Sequence, residues 1–206
     1  INAFYHGSNG GISANARESW QIQDYSYFNS FIDGPKSLNK NLQLPITSES
    51  DLNNFLDFDK EQFYGSNHSL FRWTKKISSL EIKEKLIKNK LININDDVLD
   101  LNSIERGSSG RVTKLEIQTN KVNKSIVLVK DDIRRVLSFI PSNLFTINKL
   151  SDDLWLLRGG GFGHGVGLSQ SGAIEMAKLG FSYEQILNHY YPNAKVKKLR
   201  YFLNEN

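Results

Sequence analysis

A histidine set among glycines is the first feature of this sequence that could carry chemistry. The stretch 158–173 reads RGGGFGHGVGLSQSGA, and Gly163 and Gly165 directly flank His164. Glycine costs about 0.5–1 kcal/mol relative to alanine inside a regular element. This density of glycine therefore favours backbone that takes positive φ or comes close to another surface.

Ser169 and Gln170 follow the histidine at the predicted start of a helix. Together with His164 and the loop amides, they offer hydrogen-bond donors and acceptors at an open groove. That chemistry suits a neutral polymer rich in hydroxyl and amide groups, such as a glycan. Each side chain also has a structural interpretation. His164 would be a buried, hydrogen-bonded residue that fixes the loop, and Ser169 and Gln170 would be helix caps.

The spacing of this stretch disfavours three other kinds of site. A nucleotide cradle needs G-x-G-x-x-G, or a Lys-Ser or Lys-Thr pair after the glycines, and neither occurs between Gly159 and Gly172. The serine-nucleophile motif G-x-S-x-G is broken at Ser171, so a nucleophilic serine with His164 as its base is a weaker alternative. The four histidines of the chain lack the H-x-x-x-H spacing of a metal site.

The residues near the start of the chain form a second candidate cluster. His6 opens a turn-forming run, His6-Gly7-Ser8-Asn9-Gly10-Gly11. Trp20, Tyr25 and Phe162 could stack on sugar faces, although packing in the core is the commoner fate of such aromatic residues.

The composition is that of a soluble globular protein with a mildly basic balance. The formal net charge is +4 and the pI is near 9.1. Such a charge fits a solvated surface better than a nucleic-acid partner, because clustering matters more than the total. The absence of cysteine excludes disulfides, thiol catalysis and cysteine-bound metal. No apolar run approaches the length of a membrane span.

The hydrophobic patterns predict an α+β fold with a mostly antiparallel sheet, in a single domain over residues 1–206. Strands are predicted at 1–5, 69–77, 112–118, 125–130, 144–149 and 154–157. Helices are predicted at 51–56, at 80–90, from 131, after Gly172 with an apolar face of Ile174, Met176, Ala177 and Leu179, and from 183. Residues 13–20 are predicted as a loop, and 36–68 as a mobile insertion.

These motifs together resemble the SpoIID/LytB family of stage II sporulation protein D and amidase enhancers. Residues 159–191 are similar to the family pattern GxGxGHGVGMSQxGA, with its following MA, G, IL and HYY positions. Further similar elements occur in the family order: residues 4–11 (Y-H-S-x-S-G-G), Phe71-Arg72-Trp73, Ser109-Gly110-Arg111-Val112 and Ile133-Arg134. The chain departs from the pattern at Gly7, where the family has serine, and at Ser171, a position that is often aromatic.

The resemblance implies binding and cleavage of peptidoglycan glycan strands, as part of a lytic transglycosylase. In that reaction one glutamate acts first as acid and then as base and leaves a 1,6-anhydro end, so the second carboxylate of ordinary glycosidases is not needed. The resemblance places this glutamate upstream of Ile1, and we expect the chain to be the C-terminal portion of the domain without its catalytic segment. It assigns no catalytic role to Glu18, Glu105 or Glu175. The alternative function is a non-enzymatic, wall-binding regulator that stimulates an amidase.

The motifs and the resemblance together predict a set of substrate-binding residues. They are His6, Ser8, Gly163, His164, Gly165, Ser169 and Gln170. Arg111 and Arg134 are expected to brace the fold or to meet anionic groups of wall peptides.

The same resemblance sets the expected partners and location. The partners are peptidoglycan glycan strands and a cell-wall amidase, with no nucleotide, nucleic acid or cofactor. The zinc of some family members would need cysteines that this chain lacks. We expect a periplasmic or cell-wall location in a bacterium, with the signal or anchor outside this chain.

Overall fold

The computed structural model describes residues 2–20, 27–120 and 125–197, which form an α+β fold as predicted. The strands are β1 (Tyr5–His6), β2 (Trp73–Ser78), β3 (Val98–Arg106), β4 (Val112–Thr119), β5 (Ser125–Val129), β6 (Phe145–Ser151), β7 (Leu154–Gly159) and β8 (Leu168–Ser169). The helices are α1 (Ala16–Ser19), α2 (Glu49–Asp57), α3 (Ser79–Lys88), α4 (Asp131–Val136), α5 (Gln170–Lys178) and α6 (Tyr183–Tyr190). Ile1 and Tyr25 lie outside the described residues, and the strand predicted at 1–5 is shorter in the structure, where β1 begins only at Tyr5. None of the helices in these three ranges is both long enough and apolar enough to cross a bilayer.

Two antiparallel three-stranded sheets contain most of the strand residues. One has the order β3-β4-β5 and the other β2-β7-β6. Along β7 every second residue is buried, and Trp155 and Leu157 are almost completely inaccessible. These residues share one apolar cluster with Ile82 of α3 and Ile133 of α4. The period-2 pattern of the strands and the amphipathic helices therefore meet in the main core.

Short pairings join the start of the chain to the glycine-rich stretch. Strand β1 pairs in parallel with β8, so that His6 lies opposite Ser169. Isolated bridges connect Ser8 with Phe162, and Ala14 with Val166. Both candidate clusters of the sequence therefore lie side by side.

The segment 36–68, predicted as a mobile insertion, carries a second apolar cluster. Its buried members are Leu38, Ile46, Leu52, Phe55, Leu56 and Phe63. Polar contacts also fasten it, since the Glu49 carboxylate accepts bonds from the Arg106 guanidinium at 2.9 Å and from the Ile147 amide at 2.7 Å. The segment is thus packed onto both sheets, and its mobility stays a prediction.

Three sequence-based assignments of local structure need correction. Strand β3 was not predicted, because polar residues interrupt its apolar ones. The predicted loop 13–20 contains α1, whose N-cap Asn15 accepts a bond from the Arg17 amide. The predicted apolar face of α5 is wrong in part: Met176 is buried, but Ile174 and Leu179 are 58% and 61% exposed. Helical spacing identified the helix but not the side that is covered.

Candidate functional site

Two glycines of the loop have neighbours so close that no side chain would fit at these positions. Gly163 has φ +108, and a β-carbon there would lie 2.9 Å from Cβ of His6. Gly165 has φ +81, and its β-carbon would lie 2.2 Å from Nη2 of Arg111. Other residues rarely adopt this backbone conformation and would not fit the space. The glycines thus let the loop pass between a histidine and a buried arginine.

His6 and His164 meet edge to face at the centre of this arrangement, with ring centroids 5.2 Å apart. The Val166 amide donates to Nδ1 of His164 at 3.1 Å, which leaves the proton of a neutral ring on Nε2, facing the carbonyl of Tyr5 at 3.1 Å. Nδ1 of His6 faces the carbonyl of Val166 at 3.1 Å and therefore carries the proton. Nε2 of His6 is then a hydrogen-bond acceptor, and it is buried without a protein partner.

Both imidazoles are kept neutral by their surroundings. Burial lowers the pKa of His164 from 6.5 to about 4; Arg134 and Arg111 act in the same direction, and Asp131 and the Tyr5 carbonyl oppose them. Burial, followed by the nearby His164 and Arg111, lowers the pKa of His6 well below 6.5. A neutral histidine has one acceptor nitrogen. That of His164 is occupied by the Val166 amide, so the acceptor that remains in the pair is the buried Nε2 of His6.

The remaining predicted site residues have mainly structural contacts. Ser8 is 1% exposed, and its Oγ accepts a bond from the Gly10 amide. Ser169 is fully buried and caps α5 by accepting from the Gly172 amide. Gln170, the first residue of α5, is exposed. The structure thus brings His6, Gly163, His164 and Gly165 into contact, and a binding role for the full set stays a prediction.

Arg111 and Glu18 are buried behind the loop and stabilise it through hydrogen bonds. The Arg111 guanidinium donates to the carbonyls of Ile12 (3.1 Å) and Asn9 (2.9 Å). Burial lowers the pKa of Arg111 to about 10, and Glu18 opposes this shift. The Glu18 carboxylate accepts bonds from the hydroxyls of Ser30, Ser108 and Ser109 and from the Ser109 amide. A carboxylate held by four donors suits a structural role better than that of a catalytic acid.

A second buried carboxylate, that of Asp33, links α6 to the start of the chain through hydrogen bonds. It accepts bonds from Asn9 Nδ2 (2.6 Å), His189 Nε2 (2.8 Å) and Tyr190 Oη (3.0 Å). Burial, and then Asp33, raises the pKa of Tyr190. Sequence reasoning missed this network because Asp33-Gly34-Pro35 is typical of an exposed turn, whereas Asp33 is fully inaccessible.

The rim of the site carries aromatic residues and two cavities. The Trp20 ring lies 4.7 Å from that of His164, and Phe162 is 48% exposed. A cavity of about 350 Å³ lies beside Trp20 and Asp131, and another of about 360 Å³ lies beside Phe162 and Arg134. A larger depression lies elsewhere, against α6, and none of the predicted site residues lines it. Trp20 and Phe162, which the sequence suggested as sugar-stacking residues, thus lie near the histidine pair, and their binding role stays a prediction.

Comparison with known proteins identifies the family. Residues 14–167 match the profile of a family described as a domain of unknown function (DUF8618). The chain belongs to this family. The matched residues include His164 and its flanking glycines but end before Ser169.

Two curated proteins are similar to parts of the chain. An uncharacterized protein of Brachyspira hyodysenteriae is 32% identical over 135 residues, which cover 63% of this chain and 33% of that protein. Stage II sporulation protein D of Bacillus subtilis is 47% identical over 45 residues, 22% of this chain and 13% of that protein. The matches thus span a third or less of these relatives. The expected SpoIID/LytB resemblance is supported in part, as a suggestive relationship.

Proposed function

We propose that this chain binds peptidoglycan glycan strands as part of a SpoIID-like lytic transglycosylase. The similarity to stage II sporulation protein D suggests a role related to the cell wall. The observation that carries the proposal is the arrangement of aromatic rings over a neutral histidine pair: the Trp20 ring lies 4.7 Å from that of His164, Phe162 is half exposed, and the unused Nε2 acceptor of His6 is buried beneath them. A neutral, hydroxyl-rich polymer fits this arrangement better than an anion does.

In this proposal the reaction uses a glutamate that is not assigned to any position of this chain. It protonates the glycosidic oxygen as the bond to C1 of the muramic acid breaks. It then takes the proton of the C6 hydroxyl, whose oxygen attacks C1 and forms the 1,6-anhydro ring. The residues of this chain position the strand, and Glu18 stabilises the loop behind them. The domain acts outside the cytoplasmic membrane, where the glycan lies.

The reaction is tested by incubating the parent protein with purified peptidoglycan and identifying the products by mass. We expect muropeptides with 1,6-anhydro ends. Intact glycan together with retained binding would contradict cleavage and leave the second function, a wall-binding regulator that stimulates an amidase. The saturated hydrogen bonds of Glu18 are compatible with that second function, because the regulator needs no acid in the groove.

The binding residues are tested by co-sedimentation of this chain with insoluble peptidoglycan. Gln170→Ala should lower the affinity about two- to tenfold, which is the effect of one lost hydrogen bond. His164→Ala should lower it further, with thermal unfolding as a check on folding. Gln118→Ala, an exposed glutamine on β4, is the matched control and should bind as the unmodified chain does. Unchanged binding by both site variants would refute the assignment of the groove.

A further inference from the structure

Phe162 is exposed and yet held in a fixed position. Its amide donates to the Ser8 carbonyl at 2.7 Å, and its carbonyl accepts from the Ser8 amide at 3.2 Å. Its ring stacks on that of His68, with an angle of 22° between the planes. A large apolar ring that is fixed and half uncovered forgoes burial energy that folding would otherwise gain. An exposed aromatic ring held in this way can present its face to a sugar.

Gly7 makes room for this ring. A β-carbon at Gly7 would lie 2.8 Å from Cδ1 of Phe162. Gly7 is not among the glycines with positive φ, so its small size matters here rather than its backbone freedom. The residue next to His6 thus determines where the Phe162 ring can lie.

The cavity of about 360 Å³ adjoins Phe162 and is tied to the same stretch of backbone. Leu70, Phe139 and Pro141 provide apolar walls. The Gly161 amide donates to the Leu70 carbonyl at 2.8 Å, and the Gly163 amide donates to the Pro141 carbonyl at 3.0 Å. The residues on both sides of Phe162 therefore hold the walls in place.

The polar lining of this cavity carries little net charge. Its polar groups are Ser138, Arg134 and Arg135. Arg134 donates two bonds to Asp131, and Arg135 donates one to Asp132, all within about 3.1 Å. Each guanidinium is thus neutralised by a neighbouring carboxylate and still has N–H groups to donate. A neutral acceptor, such as an amide carbonyl, fits this lining.

We infer that Phe162 is the stacking platform for an N-acetylated hexosamine ring, and that the adjoining cavity takes the acetamido group of that sugar. The ring of Phe162 covers the C–H face of the pyranose. The methyl group packs against Leu70, Phe139 and Pro141, and the amide oxygen accepts from Ser138 or Arg134. This inference rests on the proposed function and deepens it, because it names the residues that distinguish an N-acetylated sugar from a plain one.

Titration calorimetry of this chain with the N-acetylglucosamine trimer tests the subsite. Phe162→Ala should weaken binding about two- to tenfold, and Phe162→Trp should retain it. Tyr183→Ala is the matched control, because Tyr183 is an aromatic residue 64% exposed on α6. The glucose trimer, which lacks acetamido groups, should bind the unmodified chain at least several-fold more weakly.

The results of these experiments distinguish a failure of the subsite from a failure of the proposed function. Equal affinity of the two trimers, or unchanged affinity of Phe162→Ala, would overturn the subsite. If the unmodified chain still sediments with peptidoglycan in that case, the proposed function stands. If the unmodified chain binds neither the N-acetylglucosamine trimer nor peptidoglycan, both inferences fail.

Discussion

The left-handed glycines of this chain serve two different purposes. Gly165 has φ +81 and faces the Arg111 guanidinium, so both its conformation and the space beside it exclude a side chain. Gly180, after α5, has φ +88, and an added β-carbon would find nothing within 4 Å. The first glycine is required by conformation and packing together, and the second by conformation alone.

This difference predicts unequal costs for the same substitution. Gly180→Ala should lower the free energy of unfolding by about 1 kcal/mol, the cost of a left-handed alanine. Gly165→Ala should lower it by more than about 3 kcal/mol, because the methyl group also displaces a buried arginine from its hydrogen bonds. Urea unfolding of both variants measures the difference. Equal costs would mean that Arg111 can move aside freely.

At the scale of elements, α5 shows that amphipathic spacing does not identify the covered face. Met176 is 2% exposed and Ile174 is 58% exposed, although both belong to the apolar set that the sequence predicted as one face. The covered side is set by packing of α5 on α6 and β8, which spacing within the helix does not specify.

Two alanine substitutions in α5 distinguish these residues. Met176→Ala should cost about 2–5 kcal/mol of unfolding free energy, through lost burial and a cavity. Ile174→Ala should change it by less than about 0.5 kcal/mol, because more than half of its surface stays in water in the folded state. Chemical denaturation of the two variants provides the measurement. A cost above about 2 kcal/mol for Ile174→Ala would contradict its exposed position.

Patterns within a few residues predicted most of the helices and strands but not β3, whose pairing is irregular. Capping boxes of Ser78 with Glu81 and of Ser182 with Gln185 are local patterns that begin α3 and α6, and both reciprocal bonds form in each. Strand β3 escaped prediction because its apolar residues pair with β4 through register shifts that break the alternation. A strand with bulges cannot be recognised from a strict period of 2.

The same limit applies to the site. His6 and His164 could be predicted because each lies in a dense local motif. The contacts of Asp33 with Tyr190, 157 residues away, and of Glu18 with Ser109, 91 residues away, leave no trace in either local sequence. Such contacts follow from the packing of the whole fold, and they are what holds the loop behind the histidines.

At the scale of the whole molecule, the neutral histidines make folding stability dependent on pH. His6 and His164 take up protons near pH 6.5 when unfolded, whereas His164 does so only near pH 4 when folded. The unfolded state therefore binds more protons between these values. Their contribution to stability is complete above about pH 6.5 and is lost as the pH falls toward 4.

Unfolding by urea between about pH 4.5 and 7 tests this dependence. Stability should rise with pH by up to about 1.4 kcal/mol per pH unit for each histidine. His164→Gln should make the slope shallower, because it removes one of the two groups. Tyr183→Phe, which changes no group that titrates in this range, should leave the slope unchanged. An identical slope in His164→Gln and the unmodified chain would contradict a low pKa for His164.

The parallel pairing of β1 with β8 also bears on how the protein is made. His6 contacts the Val166 carbonyl across 160 residues of sequence, and its strand partner Ser169 follows shortly after. The ribosome synthesises the chain from its amino end. The residues of both sheets are therefore made before β8, the partner strand of β1. The histidine pair can assemble only when residues 164–169 leave the exit tunnel. A nascent chain arrested before that point would contain the residues of both sheets but lack the half of the site that residues 164–169 supply.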